Sequence, residues 1–322
     1  MIITRSPLRI TLAGGGTDLP SYYRRFGGFA ISAAINRYVY ITLHENFKPE
    51  IILKYSATER VSDVEGIQNP IIRAAMNQWA DKSLYLEICS MADIPGGTGL
   101  GSSSAFTCAL LLALHAHHGS VCGRIALAEQ ACFVENGNPG KADQYASAFG
   151  GLQCFTFNSD DTVHSSPLEI SPETLANLED NLLLVFTGFS RESIHILNEQ
   201  HIKTMQDDIA TIHNLHRMKF IALGSKKAIQ AGFLNEYAEL MNVHWQEKRN
   251  RSLLMSTPQI DEWYELGLKN GALGGKLVGA GGGGFLLFYC NDKVKCRHAM
   301  TTAGLREVRF HFDFEGTKVL SL

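Results

Sequence analysis

Hydrophobic and polar residues recur along this chain with two periods, which predict strands and helices in a mixed order. Short apolar or alternating stretches predict strands at residues 8–13, 29–43, 51–55, 83–89, 152–157 and 285–289. Apolar residues spaced by three or four positions predict helices at residues 21–26, 70–79, 124–135, 191–232, 235–251 and 258–270. The long helical patterns come late, so the second half differs in character from the first.

The C-terminal end carries a run of strict alternation. From residue 308 to residue 314, apolar side chains alternate with polar ones, which is typical of a half-buried strand. Glu315 and Gly316 follow this run and are common turn residues. The pattern therefore predicts a hairpin whose second strand covers residues 317–320.

The stretch from Ile94 to Ala105 contains four glycines and three serines between a predicted strand and an apolar helical run. This order places free backbone N–H groups and the positive end of a helix dipole around whatever the loop encloses. We expect Ser103 or Ser104 near the helix N-cap and Gly119 just beyond its C-terminus. The stretch predicts an anion site, with phosphate as the expected anion.

Two better-known phosphate loops do not fit this stretch. In the Walker A spacing, Ser102 occupies the position of the lysine that reaches the β- and γ-phosphates. A dinucleotide fingerprint would need a third glycine where Ser104 stands. A plain turn feeding a buried helix is the structural alternative, but such a turn has no use for so many serines and glycines together.

Two further glycine clusters and one acidic segment complete the candidate chemistry. Residues 14–16 are glycines at the end of a predicted strand, with Asp18 placed to accept hydrogen bonds from sugar hydroxyls. The cluster at residues 274–284 leads into a strand rather than a helix, so it predicts no independent phosphate site. Asp143 opens the segment between a Gly-Asn-Pro-Gly break and the glycine pair at 150–151.

Composition excludes several classes of function. The chain has 322 residues, 45% of them hydrophobic and 19% charged, with a formal net charge of −3. This ordinary globular profile predicts neither nucleic acid nor membrane as a partner. Seven scattered cysteines without a C-x-x-C pair, and an N-terminus without a signal core, predict a cytoplasmic protein. The histidine groups at 115–118 and at 213 and 216 suit structural roles, and we predict no zinc.

Taken together, the glycine clusters and the Asp-led segment resemble the GHMP kinases (galactokinase, homoserine kinase, mevalonate kinase and phosphomevalonate kinase). Residues 95–105 resemble the nucleotide loop of that family, residues 6–18 its first motif and residues 279–284 its third. The resemblance implies an α+β, two-domain fold with an N-terminal α/β domain and a ferredoxin-like C-terminal domain. We place the domains at residues 1–160 and 161–322, with the active site between them.

The resemblance also implies a role for each matching residue. The nucleotide loop would cradle the phosphates of ATP with Pro95, Gly96, Gly97, Thr98, Gly99, Leu100, Gly101, Ser102, Ser103 and Ser104. Ser104 and a helix glutamate would hold Mg²⁺, with Glu135 as the first choice and Glu129 as the alternative. Asp143 would accept the proton of the acceptor hydroxyl and Arg9 would stabilise the transferring phosphoryl group. The substrate contacts would come from Gly15, Gly16, Thr17, Asp18, Gly281 and Gly282.

Within the family, residues 5–11, 14–20, 90–95, 140–146 and 271–280 are most similar to kinases of D-glycero-D-manno-heptose 7-phosphate. This implies ATP-dependent phosphorylation of the anomeric hydroxyl of that small-molecule sugar phosphate, with a homodimer as a further expectation. The alternatives are an L-fucose or galactose 1-kinase and a catalytically silent sugar-sensing protein. A distal phosphate would need local cations, for which the candidates are Arg5, Arg24, Arg25, Arg37, Lys141, Arg191 and Lys276.

Overall fold

A computed structural model describes residues 1–80, 85–135, 140–190 and 194–322 of the chain. Within these ranges the strands are β1 (Ile2–Ala13), β2 (Gly28–Glu45), β3 (Ile51–Lys54), β4 (Thr58–Val61), β5 (Leu86–Ala92), β6 (Leu152–Phe157), β7 (Val163–Pro167), β8 (Leu182–Phe186), β9 (Ala272–Leu277), β10 (Phe285–Cys290), β11 (Arg306–Glu307) and β12 (Lys318–Ser321). The α-helices are α1 (Pro20–Phe26), α2 (Pro70–Trp79), α3 (Ser102–His117), α4 (Arg124–Val134), α5 (Ala142–Phe149), α6 (Pro172–Asn181), α7 (Ile194–Met205), α8 (Ile209–Gln230), α9 (Leu234–Arg251), α10 (Pro258–Lys269) and α11 (Lys293–Thr302).

Most predicted elements are confirmed where the structure describes them. The helices predicted at 70–79, 124–135, 235–251 and 258–270 are α2, α4, α9 and α10, and the helical region 191–232 consists of α7 and α8 in its described part. The stretch 29–43 is one continuous strand, β2. Gly119 has a positive φ of 65° just beyond α3, as a glycine at C′ should.

The N-terminal half is built on a mixed sheet with the order β12-β1-β2-β5-β3-β4 in the described residues, and with β6 and β7 branching from β2. The 18-residue strand β2 makes the branch possible, because its first part pairs with β6 and its last part with β5. Helix α3 packs against β1 and β2 and is buried along nearly its whole length. The start of α3 is therefore held rigidly at the end of the sheet.

The C-terminal half contains an antiparallel sheet with the order β11-β8-β10-β9 within the described ranges. In chain order its strands are linked as β8, helices α7 to α10, β9, β10, α11 and β11. This is the βαββαβ arrangement of a ferredoxin-like domain, with extra helices in the first connection. The expected ferredoxin-like C-terminal domain is thus confirmed.

The hairpin predicted at the C-terminal end is wrong. Residues 308–314 form no ladder apart from one isolated bridge, between Phe312 and Ile35, and residues 318–321 pair with β1 as strand β12. The segment instead crosses between the two sheets, since Val308 N–H donates to Leu184 O of β8 and Asp313 N–H to Ala34 O of β2. Its alternation arises because Phe310 and Phe312 are buried in the core between the halves.

That core joins the two halves of the molecule. It contains buried side chains from β1 and β2 together with others from β8, β10, α8 and α9. Strands β7 and β12 follow residue 160 in the chain but belong to the first sheet. The boundary between residues 160 and 161 stays a prediction. None of the helices in the described ranges has the length and apolar character needed to cross a membrane.

The third glycine cluster, which connects β9 to β10, packs directly on the nucleotide loop. A Cβ atom on Gly279 would lie 2.5 Å from the Cα of Gly99, and one on Gly284 would lie 2.2 Å from the carbonyl oxygen of Thr98. Gly284 also has a φ of +99°, which residues with side chains rarely adopt. The glycines of both loops are therefore required for the halves to approach each other this closely.

We expect Gly284→Ala to lower the free energy of unfolding by about 1–3 kcal/mol from backbone strain, and further through the clash with the nucleotide loop. Urea unfolding measures the change. Gly96→Ala is the matched control in the partner loop, since a Cβ there meets no atom within 4 Å. We expect its stability to stay within about 0.5 kcal/mol of the wild type. Equal stability of the two variants would contradict the close contact.

Candidate active site

A cavity of about 470 Å³ opens where the three glycine-rich loops meet. Its walls come from the end of β1, the nucleotide loop, the start of α5, helix α9 and the loop after β9. Both halves of the molecule therefore contribute to one site. Of the predicted site residues, the cavity brings together Arg9, Gly15, Gly16, Asp18, Gly97, Gly99, Gly101, Ser102, Ser103, Ser104, Glu135, Asp143 and Gly281.

The nucleotide loop presents alternate residues to the cavity. Gly97, Gly99 and Gly101 line it, whereas Thr98 and Leu100 are buried on the other side of the loop. Pro95 and Gly96 are exposed and do not line the cavity. Leu100 also fixes the loop to the sheet, because its carbonyl accepts the N–H of Arg9 at 2.9 Å. The loop backbone, rather than its side chains, faces the site.

Helix α3 begins at Ser102, directly after Gly101, so our expectation of Ser103 or Ser104 near the N-cap is wrong by about two positions. Gly101 takes the cap position in a left-handed conformation (φ 74°) that a glycine adopts without strain. The three serines consequently form the first turn of α3. The backbone N–H groups in the first turn of a helix have no acceptor within the helix. All three serines line the cavity. This is a suitable geometry for a phosphate group.

Arg9 and Asp143 form a two-pronged ion pair at the centre of the site. Arg9 Nε donates to Asp143 Oδ1 at 2.7 Å and its Nη2 donates to Asp143 Oδ2. The third guanidinium nitrogen, Nη1, donates to Gly99 O at 2.6 Å. The Arg9 side chain is 5% exposed and that of Asp143 is 25% exposed, so the carboxylate keeps an open side toward the cavity. One arginine thereby fixes both the aspartate and the nucleotide loop.

A second polar group lies at the start of α3. Ser103 Oγ donates to Glu135 Oε2 at 2.8 Å and Ser104 Oγ lies 3.3 Å from the same oxygen. Glu135 is buried at the end of α4, whereas Glu129 is exposed on the outer side of that helix. Hydroxyl and carboxylate oxygens are the ligands that Mg²⁺ prefers, so this oxygen set fits the ion. Within the described residues, Ser103 and Ser104 bond Glu135 and not Glu129.

The first motif contributes Gly15, Gly16 and Asp18 to the cavity wall. Asp18 accepts the N–H groups of Gly16 at 3.1 Å and Ala142 at 3.2 Å. Burial, and then the negative charge of Asp143, raise the pKa of Asp18 above its ordinary value. Thr17 lies outside the cavity, because its hydroxyl donates to Gly14 O and Phe29 O.

The third cluster places Gly279, Ala280, Gly281 and Gly283 in the cavity wall. Gly282, which we expected to contact substrate, does not line it, and its N–H donates to Met255 O at 2.9 Å. The cluster thus closes the cavity with backbone atoms.

Our reading of the sequence missed a set of basic residues on helix α9. His244, Lys248 and Arg251 are buried and line the cavity together with Lys276 of β9. A signal for them was present in the sequence. They follow Tyr237 and Met241 at helical spacings of three and four, so they lie on the same buried face of the helix. Basic residues on the buried face of a helix are uncommon and indicate a polar site.

Of the seven cations named as candidates for a distal phosphate, Lys276 lines the cavity. Arg5, Arg24 and Arg25 form ion pairs outside it, with Glu315, Asp161 and Asp207 respectively. Arg37 donates to the carbonyls of Asn36 and Arg309 and Lys141 to that of Asp161. Arg191 lies outside the described residues.

Two parts of the chain match patterns of a known protein family. Residues 69–151 match the pattern described as the GHMP kinases N terminal domain, and residues 225–303 match the GHMP kinases C terminal domain. Together the two matches cover half of the chain. Both contain cavity residues, the first including the nucleotide loop and Asp143, the second including helix α9 and the third glycine cluster.

Individual relatives agree with this match. The chain is 29% identical to the D-glycero-alpha-D-manno-heptose 7-phosphate kinase of Campylobacter jejuni over 98% of this chain and 97% of that one. It is 28% identical to an L-fucokinase/L-fucose-1-P guanylyltransferase of Bacteroides fragilis, over 92% of this chain but 36% of that longer protein. The fold superposes on a D-glycero-D-manno-heptose 1-phosphate kinase of Bacteroides thetaiotaomicron with a TM-score of 0.82 at 23% identity, covering 100% and 99% of the two chains.

The two glycine loops, the Arg9–Asp143 pair and the serine-rich start of α3 thus occur in a chain that matches kinase patterns in both halves. This chain belongs to the GHMP kinase family and is a sugar kinase that uses ATP.

Proposed function

We propose that the enzyme transfers the γ-phosphoryl group of ATP to the anomeric hydroxyl of D-glycero-D-manno-heptose 7-phosphate, giving the 1,7-bisphosphate. The observation that carries the proposal is the Arg9–Asp143 pair, which faces the start of α3 within one cavity. The acceptor is taken from the Campylobacter jejuni relative, whose length this chain matches almost completely.

Asp143 is the residue placed to handle the acceptor hydroxyl. Its open carboxylate side would hydrogen-bond the anomeric O–H and take its proton as the new O–P bond forms and the bond between the γ-phosphorus and ADP breaks. Arg9 holds this carboxylate in orientation with two hydrogen bonds. Its positive charge would also stabilise the transferring phosphoryl group. Phosphoryl transfer depends mainly on such positioning and charge neutralisation.

The start of α3 is the proposed site for the phosphates of ATP. The backbone N–H groups from Gly97 to Ser104 would hold the phosphate oxygens, which replaces the lysine of a Walker A loop. Ser104 and Glu135 would hold Mg²⁺, with Ser103 hydrogen-bonded to the same carboxylate. When bound there, the ion would supply positive charge that neutralises phosphate oxygens of ATP.

We also propose where the enzyme acts and what it binds. We place the enzyme in the cytoplasm, where ATP and thiol-reducing conditions are available. Its proposed partner is a small-molecule sugar phosphate, and a homodimer stays a prediction.

Asp143→Asn is expected to lower kcat by about 10²–10⁴-fold, because the amide cannot accept the proton of the hydroxyl. ATP affinity should change little, since the loop amides remain. The measurement is steady-state kinetics with a coupled ADP assay. Asp261→Asn is the matched control, since Asp261 also pairs with an arginine, Arg249 at 3.0 Å, but outside the cavity. A variant at position 143 that keeps more than half of the wild-type kcat would remove Asp143 from the mechanism.

Glu135→Gln is expected to raise the Mg²⁺ concentration needed for half-maximal activity by about tenfold or more, because a charged oxygen ligand is lost. Glu129→Gln is the control on the same helix and should leave the Mg²⁺ dependence unchanged, since its side chain is exposed. Titration of activity with Mg²⁺ at fixed ATP separates the two. The reverse result would assign the metal to Glu129.

The acceptor is tested with a panel of sugars. We expect kcat/KM for D-glycero-D-manno-heptose 7-phosphate to exceed that for the unphosphorylated heptose, L-fucose and galactose by about a hundredfold or more, since two charge-assisted contacts to a phosphate suffice for this difference. Comparable turnover of a neutral sugar would assign the enzyme to the L-fucose or galactose kinases instead. Absence of turnover with every sugar would favour the catalytically silent protein.

A further inference from the structure

Four basic side chains are buried in one wall of the cavity. Lys248 is 6% exposed, Arg251 9%, His244 4% and Lys276 1%. The first three lie on one face of α9 and the fourth on the adjacent strand β9. Charged side chains are seldom buried without a partner of opposite charge, so this wall requires an explanation.

The hydrogen bonds of these side chains go to neutral groups. Lys248 Nζ donates to Leu277 O at 3.1 Å and to Gly279 O, and Lys276 Nζ donates to Leu12 O at 2.7 Å. Arg251 donates from Nε to Asn214 Oδ1 at 2.9 Å and from Nη1 to Gln200 Oε1 at 2.6 Å. In the described part of the chain, no carboxylate lies within ion-pair distance of Lys248, Arg251 or Lys276.

Several polar atoms in this wall have no partner among the described residues. They are Arg251 Nη2, which is a donor, and both ring nitrogens of His244, one of which carries an N–H in the neutral ring. A buried unsatisfied polar group is destabilising, so groups of this kind in a cavity wall indicate a ligand. The donors belong to cationic or neutral N–H groups, so the ligand should be an anion with several acceptor oxygens.

Electrostatics agree with this geometry. Burial, and then the positive charges of Arg251 and Arg9, lower the pKa of Lys248 to about 7. Burial and the neighbouring Lys248 lower the pKa of Lys276 well below its ordinary value, and the pKa of His244 is lowered in the same way. Burial and neighbouring positive charge thus disfavour the charged forms of Lys248, Lys276 and His244, whereas Asp18 and Glu247 partly offset the burial of Arg251. A bound dianion would favour the charged forms.

The position of Arg251 connects the wall with the acceptor rather than with ATP. A Cβ on Gly16 would lie 2.5 Å from Arg251 Nη1, and Gln200 links the two residues by donating to Gly16 O at 2.8 Å. Gly16 belongs to the loop that carries Asp18, the proposed sugar contact. The phosphates of ATP already have the amides of the nucleotide loop.

From this placement we infer that Arg251 and Lys248, supported by His244 and Lys276, bind the phosphate monoester of the acceptor sugar. The inference rests on the proposed function, because it assigns the residues that recognise a phosphorylated acceptor. A phosphate dianion offers oxygens to both the arginine fork and the lysine, and such charge-assisted bonds are the strong ones.

The test compares Arg251→Gln, Lys248→Gln and Arg251→Lys with the wild type. Each glutamine variant should lose about 10- to 100-fold in kcat/KM for D-glycero-D-manno-heptose 7-phosphate, mainly through KM, while KM for ATP stays unchanged. The loss with the unphosphorylated heptose should be clearly smaller than the loss with the 7-phosphate, because the contact to the phosphate is absent there. Arg251→Lys should recover part of the loss, because it restores the charge without the fork. Arg249→Gln is the matched control, since Arg249 lies on the same helix but outside the cavity.

A second measurement excludes a purely structural role. Inorganic phosphate, used as the probe, should raise the melting temperature of the wild type and of Arg249→Gln more than that of Arg251→Gln. The comparison uses the shift that phosphate causes in each protein, because Arg251→Gln also removes the hydrogen bonds to Asn214 and Gln200 and the attraction to Asp18 and Glu247. A lower melting temperature with an unchanged phosphate response would make Arg251 structural and overturn the inference.

The pH dependence supplies an independent readout. Lys248 is protonated below about pH 7, while a phosphate monoester is a dianion above about pH 6. In the wild type, kcat/KM for the phosphorylated sugar should fall as the pH rises above 7, because the lysine loses its charge. Lys248→Gln should lack this alkaline fall, and a fall that persists would exclude Lys248. The groups that face it are Arg9 of β1, Lys276 of β9, and His244 and Arg251 of its own helix.

The outcomes separate this inference from the proposed function. If the wild type uses the unphosphorylated heptose as well as the 7-phosphate, the proposed acceptor is wrong and the inference falls with it. If the wild type prefers the 7-phosphate but the variants keep that preference, the proposed function stands and the inference is overturned.

Discussion

The active site depends on one side chain, that of Arg9. Its guanidinium bonds both oxygens of Asp143 on α5 and the carbonyl of Gly99 in the nucleotide loop, while its backbone N–H bonds Leu100. The two parallel hydrogen bonds between a buried arginine and a carboxylate are strongly directional, so they fix the aspartate relative to the loop. Gly101 has to be a glycine partly for the same reason, because a Cβ there would lie 3.1 Å from the Arg9 side chain. Loss of the Arg9 side chain would remove the common anchor of Asp143 and the loop.

The charges of the cavity are arranged around that ion pair. On one side Asp18 is buried near Asp143, and its pKa is raised by burial and by that neighbour. On the other side Lys248 and Lys276 are buried near Arg9, and their pKa values are lowered by burial and by positive neighbours. Burial and like charges therefore disfavour the charged form of each group. A substrate that brings hydroxyl donors to the acidic side and phosphate oxygens to the basic side would stabilise both charged forms, as the proposed acceptor would.

Much of this arrangement could be predicted from the sequence because glycine clusters and helix patterns are local signals. The strand, loop and helix around Gly101 could be read in order, and only the cap position differed. The alternation at 308–314 predicted a paired strand. Phe310 and Phe312 are instead buried in the core between the two halves, not by pairing in a sheet. The basic residues of α9 were missed because basic side chains are usually assigned to the solvated face of a helix, although His244, Lys248 and Arg251 continue its apolar face. Their position in a cavity wall depends on the long-range packing of α9 on β9, which the local pattern does not specify.

In the proposed mechanism, the two halves of the protein contribute different kinds of recognition. The N-terminal half would offer ATP mostly backbone amides, whose geometry depends on glycines and a helix start rather than on particular side chains. The C-terminal half would offer the acceptor buried side chains on α9 and β9, which single substitutions can alter. Substitutions on α9 could then change the substrate while the nucleotide loop and the Arg9–Asp143 pair are preserved. The third glycine cluster lies between the two proposed binding regions. It packs on the nucleotide loop, and the carbonyl of Gly279 accepts a hydrogen bond from Lys248 of the basic wall.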